Sequence, residues 1–239
     1  MKILVLMAGS SNSFSSDGHR FPKYLLEVKG KPLIQHVINS FASIANPEFI
    51  FILKKSDNQK HYIENIIRLL IPNATVVSIE GETQGAACSA LLAIDYIYND
   101  EPVLITNGDQ VLDINYANFL DFSTNYDAST IIFDSVHPRW SYVKLDKNQE
   151  VIEASEKKPI SRHATAGTYL YKKGKYFVDA ATEMIKKDVN VNHAYYICPT
   201  LNELILKDKS ISAYSIQKSQ YYQITTPQEL KAYEASIQQ

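Results

Sequence analysis

Three short stretches hold the residues best suited to chemistry. MAGSSNSFSSDGHRFPK (7–23) places the small residues Ala8 and Gly9 ahead of several hydroxyls, the Asn12 amide, and then His19, Arg20 and Lys23. Small backbone donors followed by cations are one way to hold a polyphosphate. TNGDQ (106–110) ends an apolar run at Asn107-Gly108-Asp109. The Asp109 carboxylate suits a magnesium ion, which takes one or two carboxylates besides phosphate oxygens and water. In EGETQGAAC (80–88), Gly85 and two alanines open a helix with little side-chain bulk, so a flat ring can lie on backbone. Glu80 could accept a hydrogen bond from a base there. Further on, EKKPIS (156–161) presents Lys157 and Lys158 just before ATAGTY.

Each stretch also has a plainer reading. Residues 8–22 could be a polar surface loop and Asn-Gly-Asp an ordinary turn. Gly85 could mark a helix end packed tightly on a sheet, and the lysine pair a solvated turn. The six histidines lack zinc-ligand spacing, and His36, flanked by apolar helix positions, reads as structural. Neither a G-x-S-x-G elbow nor a P-loop occurs.

The elements that would position these residues follow from the apolar pattern. ILVLM (3–7), FIFIL (49–53), TVVSI (75–79) and PVLITN (102–107) are short continuous apolar runs, the mark of buried strands. Helical spacing recurs over PLIQHVINSFASI (32–44), over DNQKHYIENIIRLL (57–70) with Ser56 as its cap, and over GAACSALLAIDYI (85–97). Strands alternating with helices predict right-handed βαβ units and an α/β, doubly wound, mostly parallel Rossmann-like sheet.

The second half changes rhythm. STIIFDSV, YVKLD, EVIEAS and ATAGTYLY predict strands with antiparallel pairing. GKYFVDAATEMIKK predicts a helix, and AYYICPTLNELILK another, in which Pro199 favours a late start. A strand at SISAYSI and a helix opening near Thr226-Pro227 close the chain. The expectation is a single domain over 1–239, with a nucleotide-binding half at 1–125 and a substrate half at 126–239. In open parallel sheets ligands bind beyond the carboxyl ends of the strands, and the first three loops leave strands on that edge.

Bulk composition excludes several classes. The 239 residues carry a net charge of −2, which predicts neither nucleic acid nor a membrane surface as partner. Two cysteines, Cys88 and Cys198, cannot form a disulfide framework. The apolar start is too short for a signal core or a membrane span, so a cytoplasmic protein is expected.

As an ordered set, AGSSNSF, FPKYLLEV, GKPLIQHVI, EGETQGAACSALLA, TNGDQ, HPRWSYVKLD, EKKPIS and ATAGTYLYKKG span nearly the whole chain. The set resembles the sugar-phosphate nucleotidylyltransferases of the glucose-1-phosphate thymidylyltransferase type, in a branch common in bacterial surface-polysaccharide loci. The resemblance implies attack of a sugar-phosphate oxygen on the α-phosphorus of a nucleoside triphosphate, with pyrophosphate leaving. It implies Mg2+ held by Asp109, Lys23 at the α-phosphate, and Lys157 (or Lys158) with Glu156 at the incoming substrate. Met7, Ala8, Gly9, Ser10, Ser11, Ser13, Glu80, Gly85 and Asn107 would surround the nucleotide, and Gly167 would leave room for the sugar. Related enzymes are often dimers or tetramers, which leaves a homo-oligomer open.

Three positions depart from the family pattern. Ser11 and Ser13 stand where it keeps a glycine and an arginine, and Arg20 could substitute for the arginine if the loop folds back. Gln223 stands where it keeps a second metal carboxylate, and Tyr24 replaces a proline. A carboxylate at Glu80 would favour the exocyclic amine of cytosine, hence CTP. Two other readings remain open: a non-catalytic nucleotide binder, and a nucleotide-sugar glycosyltransferase, which usually carries an Asp-x-Asp turn that Asn107-Gly108-Asp109 lacks.

Overall fold

A computed structural model describes residues 1–9, 14 and 21–237. Its centre is β1 (Lys2–Met7), hydrogen-bonded in parallel to β4 (Glu48–Lys54) and β6 (Val103–Asn107), with β5 (Thr75–Ile79) parallel outside β4. Alternate residues of each strand face opposite sides of the sheet, so a continuous apolar run fills two cores. Ile3, Val5, Phe49 and Phe51 pack on one side with Val37 and Ile67. Leu4, Leu6, Ile50 and Ile52 pack on the other with Ala87, Ala90 and Phe177.

The sheet continues into the second half. β11 (His163–Tyr171) runs antiparallel to β6, β8 (Ala128–Asp134) antiparallel to β11, and β12 (Ile211–Ser215) parallel to β8. The hairpin of β9 (Ser141–Leu145) and β10 (Val151–Glu156) joins the start of β11. The result is a nine-stranded mixed sheet whose parallel part is the expected one. β11 pairs with β9 at His163–Ala164 and with β6 from Tyr169 onward. Its register breaks between Thr165 and Tyr169, where Gly167 has a φ of 61°. Two short ribbons lie apart from the sheet. β2 (Glu27–Val28) pairs with β3 (Lys31–Pro32), and β7 (Gln110–Leu112) pairs with β13 (Tyr221–Gln223).

Among the described residues the α-helices are α1 (Leu33–Ser40), α2 (Lys55–His61), α3 (Ile63–Leu70), α4 (Ala86–Leu91), α5 (Ile94–Ile97), α6 (Tyr116–Ser123), α7 (Gly174–Lys186), α8 (Thr200–Ile205) and α9 (Pro227–Ser236). The helix expected over 57–70 is two helices. Tyr62 enters the left-handed region at φ 53° between them, and the Asn58 side-chain carbonyl accepts the Glu64 N–H at 2.8 Å, starting a new helix. Ser56 is not the cap; Lys54 occupies that position, and its side chain makes no capping bond. Residues 85–97 likewise divide into α4 and α5, and α1 is shorter than 32–44. Pro199 does delay α8, and Thr226 caps α9 in a reciprocal box with Glu229. Among the described residues, no helix is long and apolar enough to cross a membrane.

Candidate active site

The carboxyl ends of β1, β4, β5 and β6 open onto a cavity of about 770 Å³, closed on its far side by β9, β10, β11 and the segment 194–198. Ala8, Gly9, Gly85, Asn107, Asp109, Glu156, Lys157, Gly167 and Gln223 all line it. Segments separated by most of the chain thus share one space.

Asp109, which lines the cavity, is paired with the buried Lys23 behind it. Lys23 Nζ lies 2.6 Å from Asp109 Oδ2, and their side chains are only 6% and 14% exposed. Lys23 opens a single 3-10 turn (Lys23–Leu25) after Pro22, and its Nζ lies 3.5 Å from where a Cβ on Gly9 would be, just past β1. Asp109 is fixed on both sides: the Gly108 N–H donates to the Leu6 carbonyl at 2.9 Å, and the Asp109 carbonyl accepts the Ile224 N–H at 2.7 Å. Gly108 is tight as well, since a Cβ there would fall 2.4 Å from Met7 Cγ. Met7 itself is buried under this turn rather than lining the cavity.

The neighbour of Asp109 carries the supporting network. The buried Gln110 amide nitrogen reaches the Ala166 carbonyl and the Thr168 hydroxyl, each at 3.0 Å. Its oxygen accepts from Asn107 Nδ2 at 3.2 Å. A Cβ on Gly167 would lie 2.6 Å from that oxygen and 2.9 Å from Asn107 Nδ2. Gly167 is therefore required first by the Asn107 and Gln110 amides of the turn at Asp109, at a φ that side chains rarely adopt.

Tyr24 is buried, and its hydroxyl reaches the Gly9 carbonyl at 3.4 Å. Burial, reinforced by the charge of Asp109, holds the phenol protonated well above its ordinary value. A proline at this position could not support the first loop in that way. Ser10, Ser11, Ser13 and Arg20 lie outside the described residues.

At the end expected to hold a base, Glu82 lines the cavity and Glu80 does not. Glu80 is exposed and bonded to Lys55, away from the cavity, and that contact holds its carboxyl below the ordinary value. Glu82 and its ion-pair partner Lys54 both line the cavity, their side chains 2.9 Å apart. Gly85 packs against backbone: a Cβ there would meet the Tyr195 carbonyl at 2.4 Å, and the Ala87 N–H donates to that carbonyl at 3.0 Å.

The opposite end is aromatic and mixed in charge. Trp140, Tyr169, Tyr196 and Tyr221 line it. The Glu156 carboxylate accepts from the Ser141 hydroxyl, and burial raises its carboxyl above the ordinary value, opposed by Ser141 and Lys157. Lys157 Nζ donates to the Tyr196 hydroxyl at 2.6 Å. Lys158 is exposed and off the cavity. Arg139, which the sequence did not single out, stacks its guanidinium 4.2 Å from the Trp140 ring centroid and pairs with Glu229 at 2.9 Å. It also donates to the Gln223 side-chain oxygen. The oxygen expected to face a metal is thus engaged by a cation. The signals for Arg139 in the sequence are its place in the segment HPRWSYVKLD and its position just before the sole tryptophan.

Among the described residues, no group of three or more His, Cys, Asp or Glu side chains is arranged to hold a metal. One cavity-lining carboxylate, Asp109, fits a Mg2+ ion that phosphate oxygens and water hold on its other sides.

A family model described as nucleotidyl transferase matches residues 2–220. A nucleoside-diphosphate-sugar pyrophosphorylase from Vibrio cholerae RC9 superposes with a TM-score of 0.88 at 26% identity, over 98% of this chain and 100% of that one. A UDP-glucose pyrophosphorylase complexed with UDP-glucose shares the fold, with a TM-score of 0.78 at 18% identity, over 99% of this chain and 98% of that one. The bifunctional protein GlmU of Methanocaldococcus jannaschii is 25% identical over 176 residues, 72% of this chain and 40% of that protein. The glucose-1-phosphate cytidylyltransferase of Salmonella typhimurium is 23% identical over 180 residues, 66% of this chain and 69% of that protein. The match to the GlmU protein of Methanocaldococcus jannaschii thus spans well under half of that protein's length.

Proposed function

The chain belongs to the nucleotidyl transferase family, and from that premise we propose that its cavity joins a nucleoside triphosphate to a small phosphorylated compound, a sugar phosphate in the first instance, releasing pyrophosphate. The carrying observation is the Lys23–Asp109 pair, buried at 2.6 Å where four parallel strands end. An oxygen of the acceptor phosphate attacks the α-phosphorus, and the bond to pyrophosphate breaks. Such transfer needs chiefly positioning and charge neutralisation. Lys23 faces the α-phosphate, Ala8 and Gly9 offer backbone to the nucleotide, and Lys157 holds the acceptor phosphate. Asp109 would hold Mg2+, which supplies charge neutralisation on the phosphate oxygens. Gln223 serves through Arg139 rather than as a metal ligand.

On the base side we assign to Glu82 the role expected of Glu80. A carboxylate there accepts from the exocyclic amine of cytosine, so CTP is the favoured donor. Arg20 is assigned to the leaving pyrophosphate, and an Arg20→Ala protein with full activity removes that assignment. The product class is an activated precursor for a surface polysaccharide, made in the cytoplasm.

The test is pyrophosphate release with Mg2+, each NTP and a set of sugar 1-phosphates and other small phosphate monoesters. Release confined to one donor–acceptor pair supports the reading, and a clear UTP or dTTP preference removes the CTP assignment. Tight nucleotide binding without release points instead to a non-catalytic binder. Turnover of a nucleotide-sugar without any NTP points to a glycosyltransferase.

A further inference from the structure

We propose that Tyr196 is a positioning residue that fixes the Lys157 ammonium at the acceptor end of the cavity; the inference rests on the reading of Lys157 as the group that holds the incoming phosphate. The cavity's charges set the argument. Lys54 and Arg139 line it and are paired with Glu82 and Glu229. Lys157 lines it too, yet among the described residues it makes no ion pair. Its Nζ donates to the Tyr196 hydroxyl at 2.6 Å and lies 4.6 Å from the ring centroid.

A lysine side chain loses much rotamer freedom when held in one place. A carboxylate could hold it, but would cancel the charge that an acceptor phosphate needs. A neutral hydroxyl and a ring face hold it with the charge intact. The backbone end of the same residue is fixed as well. Lys157 has a φ of 54°, and its N–H donates to the Trp140 carbonyl at 3.0 Å.

Tyr196 is in turn placed by its neighbours. The Tyr195 N–H donates to the Gln84 carbonyl at 2.8 Å, and the Tyr195 carbonyl accepts from the Ala87 N–H at 3.0 Å. Gly85 leaves the space that lets Tyr195 lie this close. Two residues further on, Cys198 Sγ lies 3.7 Å from the Tyr142 carbonyl, against β9. Adjacent tyrosines therefore span the site: one is fastened by its backbone to the loop before α4, and the other grips Lys157. The position of the acceptor cation is set relative to the nucleotide loop.

The test uses inorganic phosphate as probe. Trp140, the only tryptophan, lines the same cavity and reports binding by its fluorescence. Wild type is expected to show a saturable response, and Lys157→Met to lose it. Tyr196→Phe, which keeps the ring, should weaken phosphate binding by about tenfold or more, as expected for a hydrogen bond to a charged group. The double variant should match Lys157→Met, since the hydroxyl acts only through the lysine. Independently of any ligand, amine labelling read by mass spectrometry should show Lys157 reacting several-fold faster in Tyr196→Phe, with exposed Lys147 unchanged. A Tyr196→Phe protein with wild-type phosphate affinity and wild-type Lys157 labelling overturns the proposal. A wild type without a saturable response defeats the phosphate reading of Lys157, while the labelling still decides whether Tyr196 fixes it.

Discussion

Lys23 and Asp109 are 86 positions apart in the chain and in contact in the fold. Asp109 lines the cavity and Lys23 is bonded to it, so removing either should cost transition-state stabilisation. Lys23→Ala should lower kcat by about 10²–10³, the scale of losing one preorganised charge contact. The Lys23→Ala melting temperature should stay near that of wild type; a large drop would recast the pair as a structural ion pair. Glu156 offers a pH test at the same scale. Burial raises its carboxyl above the ordinary value. The folded chain then binds that proton more tightly than the unfolded chain does. Stability contributed by Glu156 is present below the ordinary value and is lost as pH rises through the raised one. Glu156→Gln carries no such penalty. Its Tm should exceed the wild-type Tm at about pH 8, with the gap closing towards pH 4. A gap independent of pH would contradict the assignment.

At the scale of elements, the bulge in β11 and the ribbon β7–β13 do the positioning. Gly167 lets β11 change partner from β9 to β6 while the Gln110 amide spans the gap to Ala166 and Thr168. Gly167→Ala should destabilise the fold by about 1–3 kcal/mol, through both the positive φ and the collision with Gln110 and Asn107. Urea unfolding measures the loss, and turnover should fall with it because the Asp109 turn rests on the same amides. Helix α9 provides a contrast. Thr226→Ala removes the N-cap and should cost about 1 kcal/mol in the same unfolding measurement. Equal stability of that variant would mean that Glu229 alone, bonded to Thr225, secures the helix start.

Over the whole molecule, one sheet carries residues from both halves to a single cavity. The parallel strands were legible because ILVLM, FIFIL and VLIT are apolar on both faces, and only a covered parallel sheet buries such runs. That Asp109, Gly85 and Lys157 would share the strand-end cavity was legible because each sits beside a strand end or a turn signal. Glu80 was misplaced because a strand end does not tell which of two nearby glutamates turns inward, and Lys55 draws Glu80 outward. Arg139 was missed because its role depends on Gln223, 84 residues away, and on the Trp140 ring. The break at Tyr62 was missed because a tyrosine in the left-handed region contradicts local preference and is settled by the Asn58 contacts.

The central claim is that this cavity performs nucleotidyl transfer through Lys23 and Asp109. The most direct measurement is pyrophosphate release by wild type and Asp109→Asn, with the donor and acceptor that the substrate panel identifies, in Mg2+ and after chelation. The account predicts release by wild type in Mg2+, loss of release on chelation, and a drop of at least about a hundredfold in Asp109→Asn while its fold is retained. Pyrophosphate release that continues undiminished in Asp109→Asn would contradict it.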